Sequence, residues 1–195
     1  MLNGLFQSIT ILMTGIIYYA VDFWLIHCHD QLRHEEGSGR SWGYTAMMLT
    51  VLVLLAAQPV ALPGLGVQIR GLWGAAIQVL GIALLLIAFS LHWWARVHLR
   101  QFYVEDIVFQ EGHKLVDTGP YRYVRHPTFT SFLIIALGLL MVNPALPTLL
   151  AAIYAFWDFC GAAKKEETLL CERLDGYADY MRRTGRFLPQ LRNRT

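Results

Sequence analysis

Residues 128–159 read TFTSFLIIALGLLMVNPALPTLLAAIYAFWDF, an apolar stretch interrupted near its middle by Asn143, Pro144 and Pro147. A helix needs about 20 apolar residues to cross the roughly 30 Å of hydrocarbon in a bilayer, so this block is too long for one straight span and too short for two full ones. Proline inside a helix removes a backbone hydrogen bond and breaks the helix. The sequence therefore predicts a helical hairpin with two short legs.

Three further apolar stretches precede the hairpin, at residues 4–26, 44–62 and 72–95. Each reaches the length of a membrane-spanning helix. The composition agrees, because 55% of the 195 residues are hydrophobic and only 15% are charged, whereas about 25% are charged in a typical soluble domain. The sequence predicts a single-domain, all-α integral membrane protein with about five transmembrane helices.

The basic residues predict which side of the membrane each loop faces, because Lys and Arg beside membrane spans favour the cytoplasmic side. With five spans and an outside N terminus, every Lys and Arg except Arg70 lies on that side. We therefore divide the chain into three spans (residues 1–95), a cytoplasmic loop (96–127), the hairpin (128–160) and a cytoplasmic tail (161–195). The tail begins with a strong helix-forming run, which predicts an amphipathic helix to about Arg183.

Several functional classes are not expected from this sequence. The basic residues form small clusters rather than one stripe, so a nucleic-acid partner is not expected. The cysteines Cys28, Cys160 and Cys171 have no CxxC spacing, and we expect neither a disulfide framework nor a metal site. No GxGxxG or Walker-type glycine loop occurs, so a nucleotide-like cofactor would have to bind without a Rossmann turn.

The segment richest in chemistry is residues 112–129, GHKLVDTGPYRYVRHPTF, which has no amphipathic period. Gly119-Pro120 predicts a turn, and Pro127 is suited to the first turn of a helix. The loop would bring His126 and two tyrosines to the membrane surface. Two interpretations stay open at this point: a belt of Tyr and Arg side chains at the lipid headgroups, or a ligand site.

Carboxylates beside or inside the apolar spans are the other candidates. Glu166 and Glu167 follow the hairpin and can form a solvated helix face, but a short hairpin returns both its ends to one place. There the two glutamates can converge with residues 121–129 on a concave site. Asp22 lies inside the first predicted span, where a carboxylate is costly and tends to be functional or paired. Asp158 lies near the cytoplasmic end of the hairpin and can reach water.

The order of these motifs resembles one family, the isoprenylcysteine carboxyl methyltransferases and their small prokaryotic relatives. The similar features are Gly-His-x-Leu-Val, Gly-Pro-Tyr-x-x-x-Arg-His-Pro-x-aromatic, a broken hairpin, a Glu-Glu pair followed by Leu, Tyr-x-x-Tyr and Arg-Phe-x-Pro. The motifs stand here at residues 112–116, 119–129, 166–169, 177–180 and 186–189. The first three predicted spans are similar to the family only as apolar helices.

The resemblance implies S-adenosylmethionine as cofactor in an enclosed cytoplasmic pocket, and a prenylated cysteine or other lipid-borne carboxylate as acceptor, arriving from the bilayer. Carried over position by position, it implies that the cofactor is bound by His113, Lys114, Leu115, Val116, Tyr121, His126, Pro127, Thr128, Phe129 and Glu167. The family often has Tyr where this sequence has Phe129, so a hydroxyl contact would be lost there while ring packing remains.

A carboxylate acceptor would need no general base, because it is ionised near neutral pH. The protein would have to position its oxygen and exclude water. The catalytic candidates are Glu167, as an acceptor of hydrogen bonds from the cofactor, with Arg96 and Arg173, either of which can by position orient the substrate carboxylate. Both arginines can equally be positive-inside charges.

Other functions stay open. The phospholipid N-methyltransferases look related in the C-terminal half, and Glu166 or Glu167 could supply the base that a headgroup amine needs. A non-catalytic lipid-binding protein would use the motif as a clamp for anionic headgroups. Some sterol reductases also resemble this region, with Lys164, Lys165 and Arg122 available for the phosphate of a nicotinamide cofactor.

Overall fold

The computed structural model of the protein describes residues 4–29, 42–69, 71–99 and 115–190. Within these ranges the chain forms six α-helices, which are α1 (Gly4–His29), α2 (Trp42–Ala61), α3 (Gly71–Leu99), α4 (Pro127–Val142), α5 (Leu146–Arg173) and α6 (Tyr177–Arg183). Two short 3-10 turns, Pro63–Leu65 and Gly119–Arg122, precede α3 and α4. The described part of the chain is all-helical, as the sequence predicts.

Five of the described helices are apolar. α1, α3 and α5 have stretches long and apolar enough to cross a membrane, at Gly4–Leu25, Gly71–Leu99 and Leu146–Arg173. α2 and α4 contribute shorter apolar stretches, Thr45–Ala61 and Pro127–Val142. Their outward faces and those of their neighbours expose large apolar side chains, which fits a protein embedded in lipid. The number of complete spans and the side that faces the cytoplasm stay predictions.

The backbones of α3 and α4 cross in close contact at two glycines. A Cβ atom added to Gly81 would lie 2.7 Å from the carbonyl oxygen of Gly138, and one added to Gly138 would lie 2.9 Å from the carbonyl oxygen of Gly81. Small residues let membrane helices approach closely and pack by van der Waals contact. The buried apolar cluster of the bundle consists of Ile11, Ala56, Leu85 and Leu139, one from each of α1 to α4.

The crossing sets the register between α3 and α4, which run antiparallel. Nearer the end of α3, His92 meets Ser131 of α4, with His92 Nδ1 3.3 Å from Ser131 Oγ. One helical turn further, α3 reaches Arg96 and the antiparallel α4 reaches its first residue, Pro127. The position of Arg96 on α3 is therefore level with the start of α4.

The predicted hairpin is present, and residues 143–145 separate its legs, α4 and α5. Pro147 lies in the first turn of α5, where its missing N–H costs no hydrogen bond. Asn143 fixes the turn, because its Nδ2 donates to Gln58 Oε1 over 2.8 Å and to Thr148 Oγ1 over 3.2 Å. The proline-rich interruption thus ends one helix and begins the next.

The prediction of a short second leg is wrong. α5 continues for 28 residues, because the helix-forming run from Lys164 to Arg173 extends the apolar leg without a break. The predicted amphipathic helix, from Lys164 to about Arg183, is divided between the last part of α5 and α6, and the expected boundary between residues 160 and 161 falls inside α5. The chain breaks instead at Gly176, whose φ of 81° favours glycine, and α6 then ends at Arg183.

We predict that Gly81→Ala destabilises the protein by about 1–3 kcal/mol, because its methyl group would overlap the Gly138 backbone and separate α3 from α4. Gly161 is the matched control, since a Cβ atom there meets nothing within 4 Å, and Gly161→Ala should gain up to about 1 kcal/mol of helix propensity. Thermal unfolding in detergent measures both. Equal melting temperatures for the two variants would contradict the close crossing.

Candidate functional site

Glu167 of α5 is a buried carboxylate, only 3% exposed, and it contacts two arginines and a histidine. Arg125 approaches Glu167 Oε1 with Nε and Nη2, both at 2.9 Å. His126 Nε2 lies 3.1 Å from the same oxygen. Arg186 donates from Nε to both oxygens over 3.1 Å, and its Nη2 also contacts Oε2. Charge-assisted hydrogen bonds therefore engage both carboxylate oxygens. We refer to Glu167, Arg125, His126, Arg186 and Glu166 as the first cluster.

Three segments of the chain meet at the first cluster. Arg125 and His126 directly precede α4, Glu167 lies near the end of α5, and Arg186 follows α6. The antiparallel hairpin brings the start of α4 level with the end of α5. Backbone bonds fix the third segment, because the N–H of Arg125 donates to the Gly185 carbonyl over 2.8 Å and that of His126 to the Arg186 carbonyl over 3.1 Å. The segment after α6 is thus joined to the start of α4.

His126 lies between two carboxylates. Its Nδ1 is 3.3 Å from Glu166 Oε2, and its Nε2 is 3.1 Å from Glu167 Oε1. Burial favours the neutral ring, but the hydrogen bonds to Glu166 and Glu167 and their negative charges outweigh it and raise the pKa of His126 above its ordinary value of 6.5. Donation to both carboxylates requires a proton on each ring nitrogen, so the raised pKa and the two contacts favour the imidazolium form of His126.

An aromatic stack leads from His126 along α4 and α5. The His126 ring stacks on Phe129 with centroids 5.4 Å apart, Phe129 stacks on Phe159 at 5.2 Å, and Phe159 stacks on Phe132 at 5.3 Å. Tyr18 of α1 meets Phe132 edge-on at 5.3 Å. Stacked and edge-on rings gain energy beyond their buried area. A charged cluster and a continuous apolar ring surface therefore adjoin at the start of α4.

The loop before α4 is held against the end of α3 and against α6. Gly119 has a φ of 56°, a backbone conformation that favours glycine. A Cβ atom at this position would also overlap the His98 ring of α3. Tyr121 is buried, and its carbonyl accepts a hydrogen bond from the Tyr180 hydroxyl over 2.6 Å. Burial raises the pKa of Tyr180, which keeps this hydroxyl protonated and able to donate.

A second cluster, made of Asp22, His92, Arg96 and Ser131, lies where α1 and α3 meet α4. Arg96 Nη2 is 3.0 Å from Oδ1 of Asp22, and both side chains are buried. His92 Nε2 lies 3.9 Å from the same Asp22 oxygen, and Ser131 donates to the Thr128 carbonyl over 2.6 Å. Asp22 is therefore paired, one of the two outcomes that its position in an apolar span predicts.

Several residues predicted to bind a cofactor lie at or beside the first cluster, and they share the start of α4 and the end of α5: His126, Pro127, Thr128, Phe129 and Glu167. Tyr121 lies in the preceding 3-10 turn, and Leu115 and Val116 are half-buried before it. His113 and Lys114 lie outside the described residues. Cofactor binding by these residues stays a prediction.

The two arginines predicted to orient an acceptor lie in different surroundings. Arg96 is buried in the second cluster, whereas Arg173 is exposed in the last turn of α5. Arg125 and Arg186 were not predicted as site residues from the sequence. Both residues belong to motifs of the family, Arg-His-Pro and Arg-Phe-x-Pro, which could have indicated a role in the site. Arginines on a basic membrane face, however, resemble positive-inside charges.

Away from the two clusters, a cavity of about 370 Å³ lies near the start of α1 and the end of α4. Gln7 and Gln78, which line it, donate to the carbonyl of Val142 over 3.0 Å and 3.2 Å. These amides therefore satisfy the end of α4. Among the residues that the structure describes, no group of three or more His, Cys, Asp or Glu side chains could hold a metal ion.

We predict that the stability supplied by His126 falls as the pH rises. A group with a raised pKa in the folded state contributes fully below its ordinary value, here 6.5, and loses that contribution as the pH rises through the folded value. The melting temperature of the wild type should exceed that of His126→Gln most at about pH 6, with a smaller difference at each higher pH. A difference that grows with pH would contradict the charged imidazole.

Part of the chain matches a known family. Residues 80–172 match the model of the isoprenylcysteine carboxyl methyltransferase (ICMT) family. The chain is 35% identical over 84 residues to the nickel-cobalt-cadmium resistance protein NccN of Alcaligenes xylosoxydans xylosoxydans, and 31% identical over 84 residues to the cobalt-zinc-cadmium resistance protein CzcN of Cupriavidus metallidurans. Each match covers 42% of this chain, 39% of NccN and 38% of CzcN, so the chain spans well under half of these relatives.

The fold matches that of a solved structure, the eukaryotic intramembrane Ras methyltransferase ICMT. The TM-score is 0.67 at 18% sequence identity, over 94% of this chain and 67% of that chain. At this identity the likeness concerns the fold. Residues 80–172 therefore resemble the isoprenylcysteine carboxyl methyltransferase family, and the chain as a whole resembles the solved methyltransferase in fold.

Proposed function

We propose that this protein is a membrane methyltransferase that uses S-adenosylmethionine to methylate the carboxylate of a C-terminal isoprenylated cysteine on the cytoplasmic side. The observation that carries the proposal lies within the family-matched region. At the start of α4, an aromatic stack adjoins the partly exposed carboxylate of Glu166. Ring surface and negative charge suit a cationic cofactor, and the apolar rings along α4 and α5 suit a lipid.

The chemistry of the first cluster fits S-adenosylmethionine. The Glu166 side chain is 39% exposed and its Oε2 is 3.3 Å from His126 Nδ1, so it can accept hydrogen bonds from an ammonium group or ribose hydroxyls. Ring surface of the aromatic stack attracts a sulfonium cation. The remaining proposed cofactor contacts are Leu115, Val116, Tyr121, Pro127, Thr128 and Phe129, with His113 and Lys114 outside the described residues. The cofactor, when bound, supplies an electrophilic methyl group.

The contacts of Glu167 support a positioning role. Its two oxygens hold Arg125, His126 and Arg186, which come from different segments of the chain. Removing one partner of a buried ion pair leaves an uncompensated charge and is strongly destabilising. Glu167 therefore keeps the His126 ring oriented beside Glu166. A direct hydrogen bond from the cofactor to Glu167 stays a prediction.

The acceptor carboxylate is proposed to meet Arg96. This guanidinium is buried, level with Pro127, and held by Asp22. A carboxylate is already ionised near neutral pH, so the chain need not remove a proton, and Arg96 has only to orient the attacking oxygen. The prenyl chain would lie in the bilayer along the rings of Phe132 and Phe159. Arg173, exposed at the end of α5, is the alternative cation.

We predict that the protein in phospholipid vesicles transfers labelled methyl groups from S-adenosylmethionine to N-acetyl-farnesyl-cysteine. Mild base should release the label as volatile methanol, because the product is a carboxyl methyl ester. Label that stays with the phospholipid would instead indicate N-methylation of a headgroup. An absence of both transfer and cofactor binding would contradict the enzyme and favour a lipid-binding protein.

Loss of the Glu167 charge should weaken cofactor binding indirectly, because Glu167 holds Arg125, His126 and Arg186 in place. We predict that Glu167→Gln and His126→Ala raise the dissociation constant for S-adenosylmethionine by about tenfold or more, equivalent to about 1.4 kcal/mol. Glu172→Gln, an exposed glutamate on the same helix, is the control and should bind as the wild type does. Titration calorimetry on folded, detergent-solubilised protein measures the three constants. Wild-type affinity in both site variants would refute this site assignment.

A further inference from the structure

Asp22 is a buried carboxylate in the interior of the apolar helix α1. Its side chain is 1% exposed, and Oδ1 lies 3.0 Å from Arg96 Nη2 of α3, whose side chain is 5% exposed. An ionised residue inside a membrane helix is expensive, and such residues usually serve a site. Asp22 lies outside the family-matched residues 80–172, whereas Arg96 lies inside them. The α1 helix thus supplies the counter-ion for an arginine of the matched region.

His92, whose Nε2 lies 3.9 Å from Asp22 Oδ1, connects the ion pair to the aromatic surface. His92, one turn before Arg96 on α3, meets Tyr18 at 5.3 Å and Phe132 at 5.4 Å between ring centroids. The same histidine contacts Ser131 of α4. Beyond these rings, Arg96 is level with Pro127 and so with the start of α4. A lipid tail lying along the rings would therefore carry its polar end towards the Arg96 guanidinium.

The ion pair with Asp22 also fixes the orientation of Arg96. An arginine side chain has several rotatable bonds, and fixing it costs rotamer entropy. Because the ion pair with Asp22 holds the Arg96 guanidinium in one place, this entropy is already lost before the acceptor binds. A planar guanidinium can also bridge two carboxylates through different edges of its fork. Preorganisation of this kind strengthens binding by lowering the cost of ordering.

We propose that Asp22 is a positioning residue for the acceptor: it fixes Arg96 so that the guanidinium receives the carboxylate of a lipid-borne acid. Selection of an anionic lipid over its neutral ester would then depend on α1. This inference rests on the proposed function, in which Arg96 faces the acceptor carboxylate. The contrasting possibility is a purely structural tie between α1 and α3, which the stacked rings of Trp24 and Trp93, 5.0 Å apart, already provide.

The test compares the binding of N-acetyl-farnesyl-cysteine with that of its methyl ester, which lacks the carboxylate charge. Full-length protein in phospholipid vesicles is used, as wild type, Asp22→Asn, and the control Asp175→Asn, whose carboxylate is exposed. We expect Asp22→Asn to weaken binding of the acid by about tenfold or more and to leave binding of the ester and of S-adenosylmethionine within about twofold. Asp175→Asn should leave all three affinities unchanged.

Equal weakening of acid and ester in Asp22→Asn would show a structural tie and overturn the proposal, as would an unchanged preference for the acid. If Asp22→Asn does not fold, Arg96→Lys is measured, since it keeps the ion pair but replaces the planar fork by a single ammonium. The proposal expects its preference for the acid to fall while its melting temperature stays near that of the wild type, and an unchanged preference would overturn it. A wild type that binds the acid selectively but transfers no methyl group would instead refute the proposed function.

Discussion

The buried carboxylate of Glu167 joins three parts of the chain that are far apart in sequence. Arg125 and His126 come from the start of α4, Glu167 from the end of α5, and Arg186 from the segment after α6. A carboxylate with little solvent exposure depends on these charge-assisted bonds. The orientation of His126, and with it the stacked rings that begin at this residue, therefore depends on the same contact.

Much of the fold could be predicted from the sequence because long apolar stretches and prolines act locally. The predicted spans 4–26, 44–62 and 72–95 agree with α1, α2 and α3 to within a few residues. The length of α5 could not be predicted from the composition alone. The apolar leg and the charged helix-forming run that follows it differ in composition, but no helix-breaking residue separates them, so they form one helix. Its continuation to Arg173 is what carries Glu167 to the start of α4.

The candidate site was harder to predict, because pairing of charges across the bundle is not local. His126, Phe129 and Glu167 were found from motifs, and the structure places them together. Arg125 and Arg186 were missed, since nothing in their spacing indicates that one carboxylate holds both. The two clusters share a principle: Glu167 holds Arg125 and Arg186, and Asp22 holds Arg96. Carboxylates that hold cations in place suit the proposed methyl transfer, in which no base is required.

The most direct test of this account is amide hydrogen exchange in the wild type and in Glu167→Gln, both in lipid nanodiscs. The measurement follows residues 124–130 and residues 184–188, which Glu167 joins through its cationic partners. The account predicts that exchange in both segments rises together in Glu167→Gln, while exchange around the crossing of Gly81 and Gly138 stays unchanged. Unaltered exchange in the two segments would contradict the central role of Glu167.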